Sequence, residues 1–171
     1  IGLIASRLTI ETPIIKDKSS VILSGRRTYA DLFLAFAPDS SQRNTKLYFY
    51  DLNAKVNFKI NDNNRFFIST YLGRDIFSFD NLLGMNWGNR TGTVRWNHIF
   101  NNKLFLNSTL IHSKYDYDIG FSLFSVEGGT IKLKSGIEDF SLKEDFQYYI
   151  NSQNILRFGL TTKYKSFLPE E

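Results

Sequence analysis

The chain has 171 residues, of which 42% are hydrophobic and 22% charged, with a net charge of +4 and no cysteine. This balance excludes a disordered polymer and a bundle of membrane-spanning helices, and the lack of cysteine excludes disulfide scaffolds, thiolate metal sites and cysteine nucleophiles. The 21 basic residues are spread along the chain without a block, so the sequence predicts no nucleic-acid partner.

The sequence predicts an all-β fold of about eight antiparallel strands. They cover residues 2–14, 19–30, 46–60, 64–75, 90–100, 103–116, 130–150 and 154–166. Polar clusters at residues 16–19, 61–64, 101–102 and 151–154 are typical of tight hairpin turns, whereas residues 31–46, 75–89 and 116–129 are predicted to be longer loops. Tight turns alternating with long loops indicate an up-and-down transmembrane β-barrel.

The third predicted strand alternates most clearly between apolar and polar residues. Tyr48, Leu52, Val56 and the other even positions up to Ile60 are apolar, and the odd positions from Asp51 to Lys59 are polar. Slipping the strand by one residue would turn its lysines toward lipid, at about 2–4 kcal/mol each near the bilayer midplane. Residues 93–100, 139–150 and 156–165 repeat the pattern, whereas the sixth strand is apolar at both sets of positions, so its orientation stays open.

Four stretches resemble the early barrel strands of TonB-dependent receptors from Bacteroidota. They are GLIASRLTIETPIIKDKSSVILSGRRTYADL, LYFYDLNAKVNFKINDNNRFFISTYLGRDIF, MNWGNRTGTVRWNHIFNNKLFLNSTLIHSKYDYD and IEDFSLKEDFQYYIN. Within that family the run from Arg7 to Pro13, with residues 16–18 and 26–29 after it, looks like the entry from the plug domain into the barrel. The chain ends on Pro169-Glu170-Glu171, whereas outer-membrane barrels generally end on an aromatic strand residue, and its first residues do not show the pattern of a signal peptide. We therefore expect a fragment of a longer protein.

This resemblance implies that residues 1–171 are a barrel segment, about a third of a barrel of about 22 strands, without the plug. The implied function is import of a scarce nutrient of unknown identity across the outer membrane, with energy transduced from the inner membrane. The implied partners are outer-membrane lipid, the remaining barrel strands, the plug and, through that absent plug, TonB. No enzymatic activity and no cofactor are expected.

Two sets of residues are candidates for function. Charged residues at inward positions are expected to face the lumen or the plug, and to pair across the wall: Arg7, Glu11, Arg26, Asp51, Lys55, Arg95, Asp139, Lys143, Asp145 and Arg157. Residues in the predicted long loops are expected to face the imported ligand by type and place: Arg43, Phe77, Phe79 and Trp87.

Other residues that often carry chemistry are assigned no site. His98 and His112 lack a second metal ligand at suitable spacing and a carboxylate to orient the imidazole, and His98 is expected to point toward lipid. Asp116 and Asp118 fall short of a calcium-binding pattern, and the tyrosines beside them are expected in an interface girdle.

Two alternatives remain open at this stage. One is a small complete outer-membrane barrel with a structural or adhesion role. The other is a soluble β-sandwich binding module, in which the same alternation would point to an inner core.

Overall fold

The computed structural model describes residues 2–80, 82–122 and 130–168, which form one antiparallel sheet. Eight strands follow one another in chain order, each paired with the next. They are β1 (Ala5–Ile15), β2 (Ser19–Thr28), β3 (Lys46–Asn61), β4 (Asn64–Phe79), β5 (Leu83–Ile99), β6 (Leu104–Ser122), β7 (Thr130–Tyr149) and β8 (Ile155–Leu168). The predicted all-β, up-and-down arrangement is confirmed.

Asparagine side chains close three of the four tight turns at one end of the sheet. Asn61, Asn101 and Asn151 each accept a hydrogen bond, at 3.0, 2.9 and 3.0 Å respectively, from the backbone N–H two residues further on. This Asx turn reproduces a backbone turn with a side chain, which is why asparagine is favoured there. In the remaining turn, Asp17 has a left-handed backbone with φ of 61°. All four predicted turns are confirmed.

The opposite end of the sheet differs from the prediction. The connection between β2 and β3 is long, as expected, and contains two short helices, α1 (Ala30–Leu34) and α2 (Ser40–Arg43). The loop predicted at residues 75–89 is wrong, because β4 and β5 continue until only residues 80–82 separate them, with Asp80 at φ of 43°. The loop predicted at residues 116–129 is also wrong as far as Ser122, because β6 runs to that residue. The rest of that predicted loop, residues 123–129, lies outside the described residues. The alternating polarity fades in these stretches, although backbone pairing continues.

The pairing register divides the side chains into two faces, which we call the apolar face and the polar face. In β3–β8 the even-numbered residues lie on the apolar face, so Val56 of β3 is in register with Ile68, Val94, Leu110 and Leu142 on the next four strands. The same register settles β6, whose leucines at 104, 106 and 110 share the apolar face, while Phe105 and Ile111 lie on the polar face.

The distribution of burial is inverted relative to that of a water-soluble domain. Leu106 is the one buried hydrophobic residue in the described part of the chain, while Ile68, Leu110 and Leu160 on the apolar face are 54%, 52% and 67% exposed. The buried residues are mostly small and polar and lie on the polar face: Ser24, Thr28, Asp51, Thr109 and Ser141. A β-sandwich needs a second sheet against the apolar face, and residues 2–80, 82–122 and 130–168 supply a single sheet.

The apolar band on this face runs obliquely to the rows of paired residues. One row begins with Leu52 and Leu72 on β3 and β4 and continues as Arg90, Lys114 and Glu138 on β5–β7. The band therefore lies nearer the tight-turn end on the later strands. None of the helices within the described ranges is long and apolar enough to cross a membrane.

Candidate functional site

All ten predicted inward-facing charged residues lie on the polar face. The register shows this by direct pairs: Arg7 with Arg26, Arg26 with Asp51, and Glu11 through Ile22 with Lys55. Arg95, Lys143, Asp145, Asp139 and Arg157 follow on β5–β8 with the same parity. One face of one sheet thus carries them all, spread over the strands instead of converging on a point.

The tightest cross-strand ion pair in the described part of the polar face joins β2 to β3. Arg26 Nε lies 2.7 Å from Asp51 Oδ2, and its guanidinium stands 4.8 Å from the centre of the Phe49 ring. Asp51 is largely buried, whereas about half of the Arg26 side chain is exposed. Beside this pair, Arg7 Nε donates to Ser24 Oγ at 3.1 Å. The pair compensates a carboxylate that the sheet shields from solvent.

A second group of charges lies on β7 and β8. Lys143 Nζ is 2.9 Å from Asp145 Oδ2, and Lys165 Nζ is 4.0 Å from Asp139 Oδ2. Ser141 Oγ donates to Asp139 Oδ1 at 2.7 Å. These are lateral pairs along the sheet and are at least partly exposed, so each contributes little to stability. Together the charges make the polar face hydrophilic without assembling an acid, a base and a nucleophile at one place.

Three of the predicted loop residues are strand residues, which corrects that prediction. Phe77 and Phe79 belong to β4 and Trp87 to β5. All three lie on the polar face near the loop end, where Trp87 pairs with Tyr117 of β6. Their aromatic rings therefore extend the polar face with an aromatic rim.

Arg43 is the one predicted ligand-facing residue that lies in a connection. It ends α2, and its Nη1 donates to the carbonyl oxygens of Ala37 and Pro38 at 3.0 and 2.8 Å. At the start of α2, Asp39 accepts hydrogen bonds from the backbone N–H and the hydroxyl of Ser41. The backbone bond, the hydroxyl bond and the nearby Arg43 charge lower the pKa of Asp39 below 3.8. This connection is an ordered, hydrogen-bonded element.

The two histidines occupy different surroundings on the apolar face. His98 Nδ1 lies 2.7 Å from Asn64 Oδ1, and its ring contacts Trp96 and Phe100. The expectation that no carboxylate orients either histidine is wrong for His112, whose Nε2 lies 2.8 Å from Glu138 Oε1. Cross-strand register creates that pair between β6 and β7, and residue spacing along the chain does not reveal it.

A cluster on the apolar face was missed by sequence reasoning. Asp116 bridges two arginines, with Oδ2 at 3.2 Å from Arg74 Nη1 and Oδ1 at 3.1 Å from Arg90 Nη2. Asp116 is therefore engaged by cations and lies in a strand instead of a calcium-binding loop. Tyr115 and Tyr117 are on the polar face, opposite the position expected for an interface girdle. The sequence signal for this cluster is a charged residue at an even-numbered, apolar-face position in each of the segments GRD, GNR and KYD.

No group of three or more His, Cys, Asp or Glu side chains placed to hold a metal ion occurs within the described ranges. Comparison of the chain with protein-family models, with curated protein sequences and with solved structures finds no match.

Proposed function

We propose that this chain is part of the wall of an outer-membrane β-barrel, and that the parent protein is a TonB-dependent importer of a scarce nutrient. The observation that carries the proposal is the inverted burial: large apolar side chains are exposed in a continuous band, and small polar ones are shielded on the other face. In water such a band would cost about 25 cal/mol for each Å² of apolar surface. In a bilayer the hydrocarbon chains solvate it, and the cost disappears.

The length of the apolar band supports a membrane location. On β3 its aliphatic and phenylalanine part extends from Leu52 to Ile60, nine residues, and Tyr48 and Tyr50 continue the apolar face toward the loop end. A tilted strand needs about 9–11 residues to cross the hydrocarbon core. Strands β3–β7 have 16–20 residues, so they would project beyond the bilayer on the loop side. On that side the apolar face becomes charged, with Arg90, Lys114 and Glu138. The oblique course of the band is the pattern that tilted barrel strands produce.

The two edges of the sheet support membership of a larger barrel. In the described residues β1 and β8 stand at opposite edges and are not paired with each other. An eight-stranded barrel closed on itself would join them. Unpaired backbone N–H and C=O groups are costly in hydrocarbon, so both edges need partner strands if the apolar face meets lipid. Further strands would supply them in the parent barrel, and a second copy of the chain would supply them in vesicles or detergent.

The importer function rests on the family resemblance together with the character of the polar face. A lumen that accommodates a plug needs a hydrophilic wall, and the polar face offers charged, laterally paired side chains such as Arg26, Asp51 and Lys143. The aromatic rim around Trp87 is where a ligand entering from outside would first meet the wall.

The two tryptophans provide a direct test, because β5 carries them on opposite faces. Trp96 lies on the apolar face and Trp87 on the polar face. The single-tryptophan variants W87F and W96F are placed in phosphatidylcholine vesicles with and without brominated acyl chains. We expect strong quenching of Trp96 and weak quenching of Trp87. Equal quenching of the two, or a chain that stays folded and monomeric in buffer without detergent, would contradict the membrane location.

The importer part is tested separately by the gene that encodes the chain. We expect a plug-like sequence upstream in the same open reading frame. An open reading frame that ends near Glu171 and has no plug-like sequence upstream would contradict it, whatever the tryptophans report.

A further inference from the structure

Two grooves on the apolar face are joined into one continuous track. The first has a volume of about 480 Å³ and an almost wholly apolar lining that includes Ile10, Leu23, Leu52 and Leu72. The second has a volume of about 470 Å³ and a charged lining. A smaller groove of about 230 Å³ lies between them and shares Leu52 and Leu72 with the first and Arg74, Arg90 and Asp116 with the second. The track thus leads from hydrocarbon-like surface to charge without interruption.

The charged groove owes its shape to a glycine. Arg74 on β4 and Asp116 on β6 are in register with Gly88 on β5, which separates their strands. A Cβ on Gly88 would lie 3.2 Å from the carbonyl oxygen of Gly73 and 3.4 Å from Arg74 Nη1. Because Gly88 has no side chain, Arg74 crosses over β5 to reach Asp116, and Arg90 approaches the same carboxylate from the next row. Asp116 therefore holds two guanidinium groups in place.

The charges of this groove favour an anionic ligand. Its lining contains four cationic side chains, Arg74, Arg90, Lys114 and Lys134, against two acidic ones, Asp116 and Asp118. Asp116 is shared by two arginines, which retain N–H groups for a further acceptor. Guanidinium groups bind phosphate oxygens with good geometry, and lysines add charge.

We propose that this track binds a lipid with an anionic, phosphorylated headgroup, with an acyl chain along the apolar groove and the phosphate in the charged groove. The inference rests on the proposed membrane location of the apolar face. The position of the charges, directly beyond the apolar band on the loop side, is where headgroups of the outer leaflet would lie. Free phosphate would use the charged groove alone and leave the continuity with Leu52 and Leu72 without a role.

The test measures lipid retention by the folded chain in neutral detergent at low salt, using native mass spectrometry. The probes are dioleoylphosphatidylglycerol, dioleoylglycerol and inorganic phosphate. The variant K114Q/K134Q removes two cations without breaking the Asp116 pairs, and the matched control K55Q/K163Q removes two lysines from the polar face. Each surface cation contributes a factor of about five to anionic-lipid binding, so we expect about 25-fold weaker phosphatidylglycerol retention in K114Q/K134Q alone.

The possible results separate the sources of the phosphate and the two proposals. Phosphatidylglycerol retained far better than dioleoylglycerol, and not displaced by millimolar inorganic phosphate, supports the lipid site. Displacement by inorganic phosphate at that level, or equal losses in the two double variants, overturns it. If Trp96 is quenched by brominated lipid while K114Q/K134Q retains lipid normally, the lipid site is refuted and the membrane location stands.

Discussion

An arginine at Ile68 is the sharpest probe of the apolar face. Ile68 lies in the middle of the band on β4, between Val56 and Val94, and 54% of it is exposed. If lipid covers it, I68R should lower the free energy of unfolding by about 2–4 kcal/mol, the cost of a cation near the bilayer midplane. That corresponds to a factor of about 30 to several hundred in the ratio of folded to unfolded protein.

Depth along the same strand supplies an internal scale. Leu72 and Ile76 follow Ile68 on the apolar face of β4 at intervals of four residues, or about 13 Å each. The cost should fall from Ile68 through L72R to about 0–1 kcal/mol for I76R, because the last position approaches the charged zone. N53R is the control, since Asn53 is an exposed residue on the polar face. It should change stability by less than about 0.5 kcal/mol.

The assay is guanidinium unfolding of the protein in phosphatidylcholine vesicles, followed by tryptophan fluorescence. In water, an arginine at an exposed site such as Ile68 would leave stability nearly unchanged. The reasoning would be refuted by equal stabilities of I68R and N53R, or by a cost that fails to decrease from position 68 to position 76.

Three further predictions concern individual contacts. G88V should destabilise the fold by about 1–2 kcal/mol, because a side chain there crowds Arg74 and weakens its bond to Asp116. The control G92V lies on the same face, meets open space and should be neutral or stabilising. Chemical denaturation of both variants measures the difference, and equal effects would count against the prediction. R26M should lower the free energy of unfolding by about 1–2 kcal/mol, because it leaves the shielded Asp51 carboxylate unpaired. The double variant R26M/D51N should recover part of this loss. Additive effects of the two single variants in that double-mutant cycle would argue against a specific pair. In the tight turn after β3, the hydrogen bond and charge of Lys59 lower the pKa of Asp62 below 3.8. This contact therefore stabilises the fold above about pH 4, and its contribution is lost as the pH falls through the lowered pKa. K59Q should raise the pKa of Asp62 in an NMR titration, and an unchanged value would contradict the assignment.

Part of the candidate site was predictable from the residues alone. The ten charged positions follow from period-two alternation, because a strand sends every second side chain to the same face. Pairing partners were not predictable, since they depend on the register between strands and join residues that are 26 to 42 positions apart in the chain. The His112–Glu138 pair and the Asp116 bridge to Arg74 and Arg90 arise in this way.

Local alternation and turn residues such as Asn61 and Asn151 were sufficient to predict the strand order, the four tight turns and, outside β6, the two faces of the sheet. The cross-strand register was needed to show that β4 continues to Phe79 and β5 begins at Leu83, that β6 places its leucines on the apolar face, and that the apolar band crosses the strands obliquely. Those features follow from backbone hydrogen bonding between neighbouring strands, which continues where the polarity of the side chains no longer alternates.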